Sequence, residues 1–248
     1  MDSDHDANHE DEYDDALIAL LELVWGEGFL SPGGPEAVAA IVAGHDLTDR
    51  RVLDIGCGLG GIDVEAELTR RARERVAKEG LTDRVEILRV EPGPLPFDDG
   101  SFDVVFTKDA WIHVEDKAGL FADVHRVLRP DGLLLAGDWM RGPEPFSQHM
   151  ERFFELEGLT YHMETLDNTR QLLVEAGFEI LAAEDITADY RAQAHWEHEQ
   201  MQGAWNERMT ELLGQETAAH FVENWHALTV VLDRGELRPG RLRARRRS

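Results

Sequence analysis

The stretch Arg51-Val-Leu-Asp-Ile-Gly-Cys-Gly-Leu-Gly-Gly-Ile-Asp63 decides the fold of this chain. Its first five residues have the apolar character of a short buried strand, and Gly56, Gly58 and Gly61 close that strand with a turn. A helix is predicted directly afterwards, over 65–80, because the segment has no proline, is rich in Arg and Glu, and ends on a glycine. A strand, a glycine-rich turn and a helix in this order are typical of a unit that binds a nucleotide.

The strands and helices that follow alternate along the chain. Short apolar runs predict further strands at 84–90, 102–106, 133–138, 178–183 and 241–245. Helical patterns occupy 13–25, 36–44, 117–128, 165–175, 188–214 and 216–232. This alternation predicts an α/β fold with a mostly parallel sheet and helices on both of its faces.

The chain is long enough for one domain, and its first residues differ from the rest. Residues 1–12 are mostly Asp, Glu, His and Asn with almost nothing to bury, so we expect a disordered acidic tail. Residues 13–247 are expected to form one domain around a single core. Within it we expect helical lid or substrate segments at about 13–45, 141–165 and 188–232.

The charge of the chain excludes several classes of partner. A formal net charge of -25 repels nucleic-acid phosphate and anionic lipid, and no apolar run reaches the roughly 18 residues of a membrane span. We therefore expect a small-molecule substrate, with neither nucleic acid nor a membrane as partner; no oligomeric state is indicated. The lack of a signal-peptide pattern and the single cysteine, Cys57, favour the cytoplasm. The basic end, 241–247, is interpreted as a last strand rather than as a nucleic-acid-binding tail.

Two other kinds of site are weaker on chemical grounds. A nicotinamide dinucleotide would need an acid about 20 residues after the glycine turn, at the end of a second strand. That position falls near Thr82 and Asp83, ahead of a strand, so this interpretation fails. His195 and His198 have a helical metal-ligand spacing, but two histidines without a third ligand are weak, and we expect no metal site.

Three motifs occur together in the order and spacing of a known family: Val52-Leu-Asp-Ile-Gly-Cys-Gly-Leu-Gly-Gly61, Leu95-Pro-Phe-Asp-Asp-Gly-Ser-Phe-Asp-Val-Val105 and Val127-Leu-Arg-Pro-Asp-Gly132. With them the chain resembles class I S-adenosylmethionine-dependent methyltransferases, and among these the phosphoethanolamine N-methyltransferases and related bacterial enzymes. Gly26-Glu-Gly-Phe-Leu-Ser-Pro-Gly-Gly34 and Lys108-Asp-Ala-Trp-Ile-His113 extend the resemblance over nearly the whole length. It implies a Rossmann-like fold with a helical lid, S-adenosylmethionine as cofactor, and methyl transfer to a small molecule, for which we expect an amine nitrogen.

The resemblance also implies which residues hold the cofactor. Ser31 would touch its methionine end, and Asp54 would line the binding loop with Gly56 and Gly58. Asp63 matches the acid that holds the ribose hydroxyls. The other implied contacts lie beside the adenine and in the segment that closes over the cofactor: Glu91, Pro92 and Asp109.

Tyr13 and His113 are the expected catalytic pair. In the family that the chain resembles, a tyrosine and a histidine at these positions latch the closed site. A small amine must also lose a proton before it can attack a methyl group, and His113 could take that proton directly or through water. A purely latching role for both residues stays open. Judged alone, His113 could be a structural histidine and Tyr13 an anchor for a terminal helix.

The link after the first strand is shorter than the family pattern, which places a helix and the start of a strand before Gly61-Ile-Asp63. A parallel crossover takes about a dozen residues or more, and only residues 56–61 are available. We therefore expect one helix–strand unit to be missing, with 62–80 helical and strand 84–90 moved beside the first strand. Glu91 would then take over the ribose. Two alternatives stay open: an incompletely recorded copy of an ordinary enzyme, or a non-catalytic protein with an impaired cofactor site.

Trp139 and Tyr161 are the expected substrate contacts. The phosphobase enzymes hold a substrate phosphate with tyrosines and cations, and the resemblance places Tyr161 at one such position and Glu155 at another. Because a carboxylate repels phosphate, phosphoethanolamine is not the expected substrate. A cationic or zwitterionic acceptor fits better, since Trp139 and Trp111 could offer ring faces to an ammonium group and Arg141 could meet a carboxylate. Both tryptophans could instead be core or lid packing.

Overall fold

A seven-stranded sheet forms the centre of the protein. The computed structural model describes residues 15–56 and 61–248. Its strands are β1 (Val52–Ile55), β2 (Ile62–Asp63), β3 (Leu88–Arg89), β4 (Phe102–Lys108), β5 (Leu128–Arg141), β6 (Phe178–Asp185) and β7 (Leu237–Arg246). They lie in the order β3-β2-β1-β4-β5-β7-β6, and only β7 runs antiparallel to its neighbours. The predicted mostly parallel sheet is confirmed.

Helices surround this sheet. Within the described residues they are α1 (Asp15–Trp25), α2 (Gly34–Val42), α3 (Ala66–Lys78), α4 (Lys117–Val127), α5 (Gln148–Glu157), α6 (Leu166–Glu175), α7 (Thr187–Gln202), α8 (Asn206–Leu213) and α9 (Gln215–Asp233), with a 3-10 helix at Trp111–His113. The helix expected over 188–214 is in fact two helices, because the chain turns at Gly203 between α7 and α8. No helix in the described part of the chain is long and apolar enough to cross a membrane.

The two faces of the sheet carry different cores. Alternate residues of a strand point to opposite faces, and β4 shows this directly. Val105 belongs to the larger core, with Phe121 of α4. Val104 and Phe106 belong to a smaller core with Ile41 of α2. Helices therefore cover both faces, as the alternating pattern of the sequence predicts.

A further apolar cluster joins the helices that lie outside the sheet. It contains Leu20 of α1, Phe153 of α5, Met201 of α7 and Trp225 of α9, all of them buried. These helices correspond to parts of the segments expected to form a lid. The division into a tail and one domain stays a prediction, and residues 1–12 lie outside the described part of the chain.

The link between β1 and β2 differs from our expectation. We expected Ile62 and Asp63 in a helix, with the following strand beside β1, but the two residues form a strand between β1 and β3. The register explains how a link of six residues suffices. Ile62 pairs with Ile55, the last residue of β1, so β2 begins level with the point where β1 ends. The two strand ends therefore lie one strand spacing apart, about 4.8 Å, and six residues are long enough to join them. The expected loss of a strand is therefore wrong. The expected loss of a helix stands, because residues 56–61 alone join β1 to β2.

The basic end of the chain is the last strand. β7 lies between β5 and β6, and its arginines face glutamates of β6. Arg241 contacts Glu184 at 3.2 Å and Arg245 contacts Glu179 at 3.6 Å. The interpretation of this segment as a strand is confirmed.

Candidate functional site

The carboxyl ends of β1 and β2 bring two acidic side chains together. Asp54 precedes the last residue of β1, and Asp63 ends β2. Burial of the Asp54 carboxyl raises its pKa well above its usual range, and the charge of Asp63 adds to this shift. Asp63 is itself buried, and its Oδ1 accepts a 2.9 Å hydrogen bond from the N–H of Glu65. The two acids singled out in the sequence therefore lie at one edge of the sheet.

The described ends of the link between β1 and β2 require glycine. Gly56 has a φ of 70° and Gly61 a φ of 133°, which is the left-handed region that favours glycine. A Cβ at Gly61 would overlap the carbonyl oxygen of Asp54, and one at Gly56 would overlap the side chain of Ala110. The main chain thus passes close to its neighbours at both ends. Gly58, the remaining glycine of the expected loop, lies outside the described residues.

A cation that the sequence analysis did not assign lies next to Ser31. The Nζ of Lys108, the last residue of β4, donates a 2.8 Å hydrogen bond to the Oγ of Ser31 and forms an ion pair with Asp109. Asp109 has a φ of 54°, and its N–H donates a 2.9 Å hydrogen bond to the carbonyl of Gly137 in β5. Ser31 and Asp109 are therefore brought together, with Lys108 between them. A polar residue that ends an apolar central strand was the available signal for Lys108.

His113 and Tyr161 lie side by side. Their ring centroids are 5.5 Å apart, and the Tyr161 hydroxyl donates a 2.9 Å hydrogen bond to Glu157 at the end of α5. Desolvation of the imidazole lowers the pKa of His113, although a hydrogen bond to the Thr160 backbone and the charge of Asp109 oppose the shift. His113 still keeps accessible surface. It can therefore accept a proton near neutral pH from a group that reaches it.

Asp138 fixes the start of the 3-10 helix that carries the histidine. Its Oδ2 accepts hydrogen bonds from the N–H groups of Ala110 (3.1 Å) and Trp111 (2.9 Å), and its Oδ1 accepts one from Trp139 (2.7 Å). Burial raises the pKa of Asp138 well above its usual range, with the charge of Asp109 acting in the same direction. The sequence marked this residue only as a strand end, because its partners come from another loop.

Trp139 stands beside a cleft of about 210 Å³ between α2 and α7. Its ring meets that of Tyr190 at 84°, with centroids 4.8 Å apart. Lys108 and Asp109 line the same cleft, so it adjoins the cluster at the end of β4. Tyr190 was missed in the sequence because a tyrosine within a long helix carries no functional signal of its own.

Two side chains expected at the substrate lie elsewhere. Trp111 is buried in the sheet core, where its ring packs edge-to-face on Phe121 with centroids 5.2 Å apart. Arg141 donates a 2.8 Å hydrogen bond to the carbonyl of Glu144 and lies 4.3 Å from the ring centroid of Phe146. Trp111 is therefore core packing, the alternative that the sequence left open, and Arg141 is held by a surface loop.

Glu155 does not lie at the substrate position that the sequence interpretation gave it. It is exposed on α5 and contacts Arg152 at 3.2 Å. The carboxylate that lies beside Tyr161 belongs to Glu157, whose other oxygen accepts a 2.7 Å hydrogen bond from Asn224 of α9. A shift of two residues along a helix moves a side chain by about 200°, toward the opposite face. The argument against a phosphate therefore cannot rest on Glu155.

The remaining expected site residues either lie at the edge of the site or fall outside the described residues. Glu91 and Pro92 are exposed and follow β3 at the carboxyl side of the sheet. Tyr13 lies outside the described residues, so its pairing with His113 stays a prediction. Among residues 15–56 and 61–248, no group of three His, Cys, Asp or Glu side chains could hold a metal ion.

Known proteins resemble this chain in sequence and fold. Residues 43–136 match the family described as "Methyltransferase domain". The 27-O-demethylrifamycin SV methyltransferase of Amycolatopsis mediterranei (strain S699) is 32% identical over 203 residues, which cover 70% of this chain and 74% of that protein. The chain belongs to the S-adenosylmethionine-dependent methyltransferases.

Other relatives of this methyltransferase are longer. Phosphoethanolamine N-methyltransferase 1 of Arabidopsis thaliana is 31% identical over 195 residues, which cover 72% of this chain and 39% of that protein. The chain thus spans less than half of that relative's length. The solved structure of Haemonchus contortus phosphoethanolamine N-methyltransferase 2 with S-adenosyl-L-methionine has a TM-score of 0.88 at 24% identity, covering 96% of this chain and 59% of that one. This likeness confirms the Rossmann-like fold.

The described residues fit S-adenosylmethionine, the cofactor of the family. The ammonium of Lys108 beside the hydroxyl of Ser31 can receive a carboxylate. The carboxylate of Asp63 can accept hydrogen bonds from sugar hydroxyls. The glycines at 56 and 61 let the main chain pass close to Ala110 and Asp54 at the ends of the loop. The methyltransferase therefore has suitable groups for the methionine carboxylate and for the ribose of the cofactor.

Proposed function

We propose that this protein transfers a methyl group from S-adenosylmethionine to the amine nitrogen of a small molecule. One observation supports this above the others: His113, Asp109, Lys108 and Ser31 gather at the carboxyl end of β4, beside the acidic edge formed by β1 and β2. The cofactor supplies an electrophilic methyl group on a sulfonium. The protein's part is then to hold both reactants in line and to exclude water.

The cofactor-binding roles follow the geometry of the edge. Ser31 and Lys108 would hold the methionine carboxylate, and Asp63 would accept hydrogen bonds from the ribose hydroxyls. Glu91 and Pro92, which follow β3, would lie beside the adenine. The loop glycines, Gly56 and Gly58, and the carboxyl of Asp54 would complete the turn under the sulfonium end.

His113 is the proposed general base. Its lowered pKa leaves the imidazole neutral at pH 7, so it can take the proton that an amine must lose before it attacks. Asp109 would orient the amine or the imidazole from the end of β4. Tyr13 would close the site over His113, and a purely latching role for both residues is tested by the pH dependence given below. Tyr161 and Trp139 would contact the acceptor.

The non-catalytic alternative is not favoured. It was based on an impaired cofactor site caused by the shortened loop after β1. That loop is followed by β2 in its place between β1 and β3, and Asp54 and Asp63 lie together despite the short link.

Two measurements test the proposed function. Titration calorimetry with S-adenosylmethionine should show binding, and mass spectrometry should show methylated products from a panel of amines but not from matched phenols. If no heat of binding is measured at millimolar S-adenosylmethionine, the proposed function is rejected. Methylation of phenols alone would keep the methyltransferase activity and reject the amine acceptor.

A further inference from the structure

The cleft between α2 and α7 lies where an acceptor would have to approach. It spans about 210 Å³ over the carboxyl ends of β4 and β5 and is lined by Lys108, Asp109 and Trp139. Lys108 also holds Ser31, where the methionine end of the cofactor is proposed to bind. A molecule in this cleft would therefore lie next to the end of the cofactor that carries the methyl group.

The uncompensated charge of this cleft is negative. Its two cations already have partners: Lys108 contacts Asp109 and is the proposed contact of the methionine carboxylate, and Arg241 contacts Glu184 at 3.2 Å. At the rim, Glu36 of α2 and Asp189 of α7 are both exposed, and neither makes an ion pair with any other residue of the described ranges. Carboxylates without a countercharge attract cations and repel phosphate groups.

The inner wall of the cleft is aromatic. The rings of Trp139 and Tyr190 meet at 84° with centroids 4.8 Å apart and form a corner. Tyr190 is 7% exposed, and its hydroxyl has no hydrogen-bond partner in the part of the chain that the structure describes. Ring faces bind ammonium groups, most strongly when the ring is that of tryptophan.

We propose that this cleft receives the methyl acceptor as a cation, an amine or partly methylated ammonium compound without a phosphate group. That the bound molecule is the methyl acceptor rests on the proposed function. That the cleft prefers cations rests on the residues of the cleft alone. Glu36 and Asp189 draw the cation in, and the corner of Trp139 and Tyr190 holds its methyl-bearing end. An ammonium group must lose a proton before methyl transfer, and the proposed proton acceptor is His113, whose charged neighbour Asp109 lines the cleft.

Choline and phosphocholine test the preference directly, because their nitrogen is already quaternary and they differ by one phosphate. Calorimetry should show choline binding at least tenfold more tightly than phosphocholine. Trp139→Leu should weaken choline binding at least tenfold. Trp196→Leu should not, because Trp196 is exposed on α7 and packs on Trp205 instead. Equal or tighter binding of phosphocholine overturns the proposal, as does an unchanged affinity in Trp139→Leu.

The rim carboxylates provide a second test that does not disturb the core. Glu36→Gln and Asp189→Asn should each weaken choline binding by about threefold, the size expected of exposed charges, and should flatten its dependence on salt. Glu199→Gln, an exposed carboxylate on the same helix outside the cleft, serves as the matched control. If neither rim variant differs from the control, the electrostatic part of the proposal fails.

Cofactor titrations on the same samples separate the two proposals. If S-adenosylmethionine binds and phosphocholine is preferred, the cleft proposal fails and the proposed function stands. If S-adenosylmethionine does not bind, the proposed function fails, and the comparison of choline with phosphocholine still decides the preference of the cleft.

Discussion

The indole N–H of Trp25, the last residue of α1, donates a 3.0 Å hydrogen bond to the buried carboxylate of Glu197 on α7. Trp225 of α9 donates to the other oxygen at 3.0 Å, and Gln193 adds a 2.8 Å bond to the first. One carboxylate thus ties three helices together. Burial raises the pKa of Glu197, although these hydrogen bonds act in the opposite direction.

This pairing predicts a stability that depends on pH. Because its pKa is raised, folded Glu197 keeps its proton to a higher pH than unfolded Glu197, so the group contributes less stability as pH rises from about 4.3 through the raised value. Relative to Glu197→Gln, the wild-type free energy of unfolding should therefore fall over this range and then level off. Urea denaturation at several pH values measures it. Glu199→Gln should show no such trend, and a constant difference would contradict the assignment.

The close approach at Gly61 predicts a costly substitution. Gly61→Ala combines a positive φ with an overlap of its Cβ and the Asp54 carbonyl. Gly80→Ala has a φ of 69° but nothing within 4 Å of its Cβ, so it isolates the backbone strain. We expect Gly80→Ala to cost about 1 kcal/mol and Gly61→Ala at least twice that. Chemical denaturation gives both values. Equal losses would show that the contact with Asp54 is not tight.

Asp138 predicts a positioning effect on catalysis. In Asp138→Asn an NH2 group replaces one of the two carboxylate oxygens and cannot accept a hydrogen bond. Either the N–H groups of Ala110 and Trp111 or the N–H of Trp139 then lose their acceptor. We expect a loss of about 1–3 kcal/mol in the free energy of unfolding and a fall in kcat, because the 3-10 helix moves. Affinity for S-adenosylmethionine should change little. Asp98→Asn, an exposed carboxylate, is the control; an unchanged kcat would reject the positioning role.

His113 predicts the acid limb of the pH profile. A base acts when it is deprotonated, so kcat/KM should fall as pH falls through the pKa of His113. Because that pKa is lowered, the midpoint should lie below the ordinary value of about 6.5. His113→Asn should lower kcat by about 10²-fold or more and remove this limb. His45→Asn should keep it. A His113→Asn profile that retains the limb at reduced rate would favour a latching role instead.

The parts of the fold that the sequence predicted are those governed by local pattern. β4 has a mostly apolar centre, Val104-Val-Phe106, and α4 keeps helical spacing up to its end, so both are found within two residues of their predicted bounds. β2 was missed because the minimum length of a crossover assumes a chain that returns along the first strand, whereas Ile55 and Ile62 are level.

The candidate site was predicted unevenly for a related reason. Asp54 and Asp63 lie at the carboxyl ends of strands, and Asp109 and His113 come shortly after one. Parallel strands bring these ends together whatever the rest of the chain does. Side-chain contacts that depend on how the helices pack could not be predicted from the sequence. Periodicity does not tell which of Glu155 and Glu157 faces inward on α5, or that Trp111 turns into the core.

The level start of β2 beside the end of β1 has a consequence for how this architecture can be rebuilt. The link between Gly56 and Gly61 is the place for such a change: a segment whose two ends lie one strand spacing apart could be inserted there and leave the order of the strands unchanged. Removing such a segment is equally neutral for topology. The neighbouring strands of this protein would keep their partners through either change.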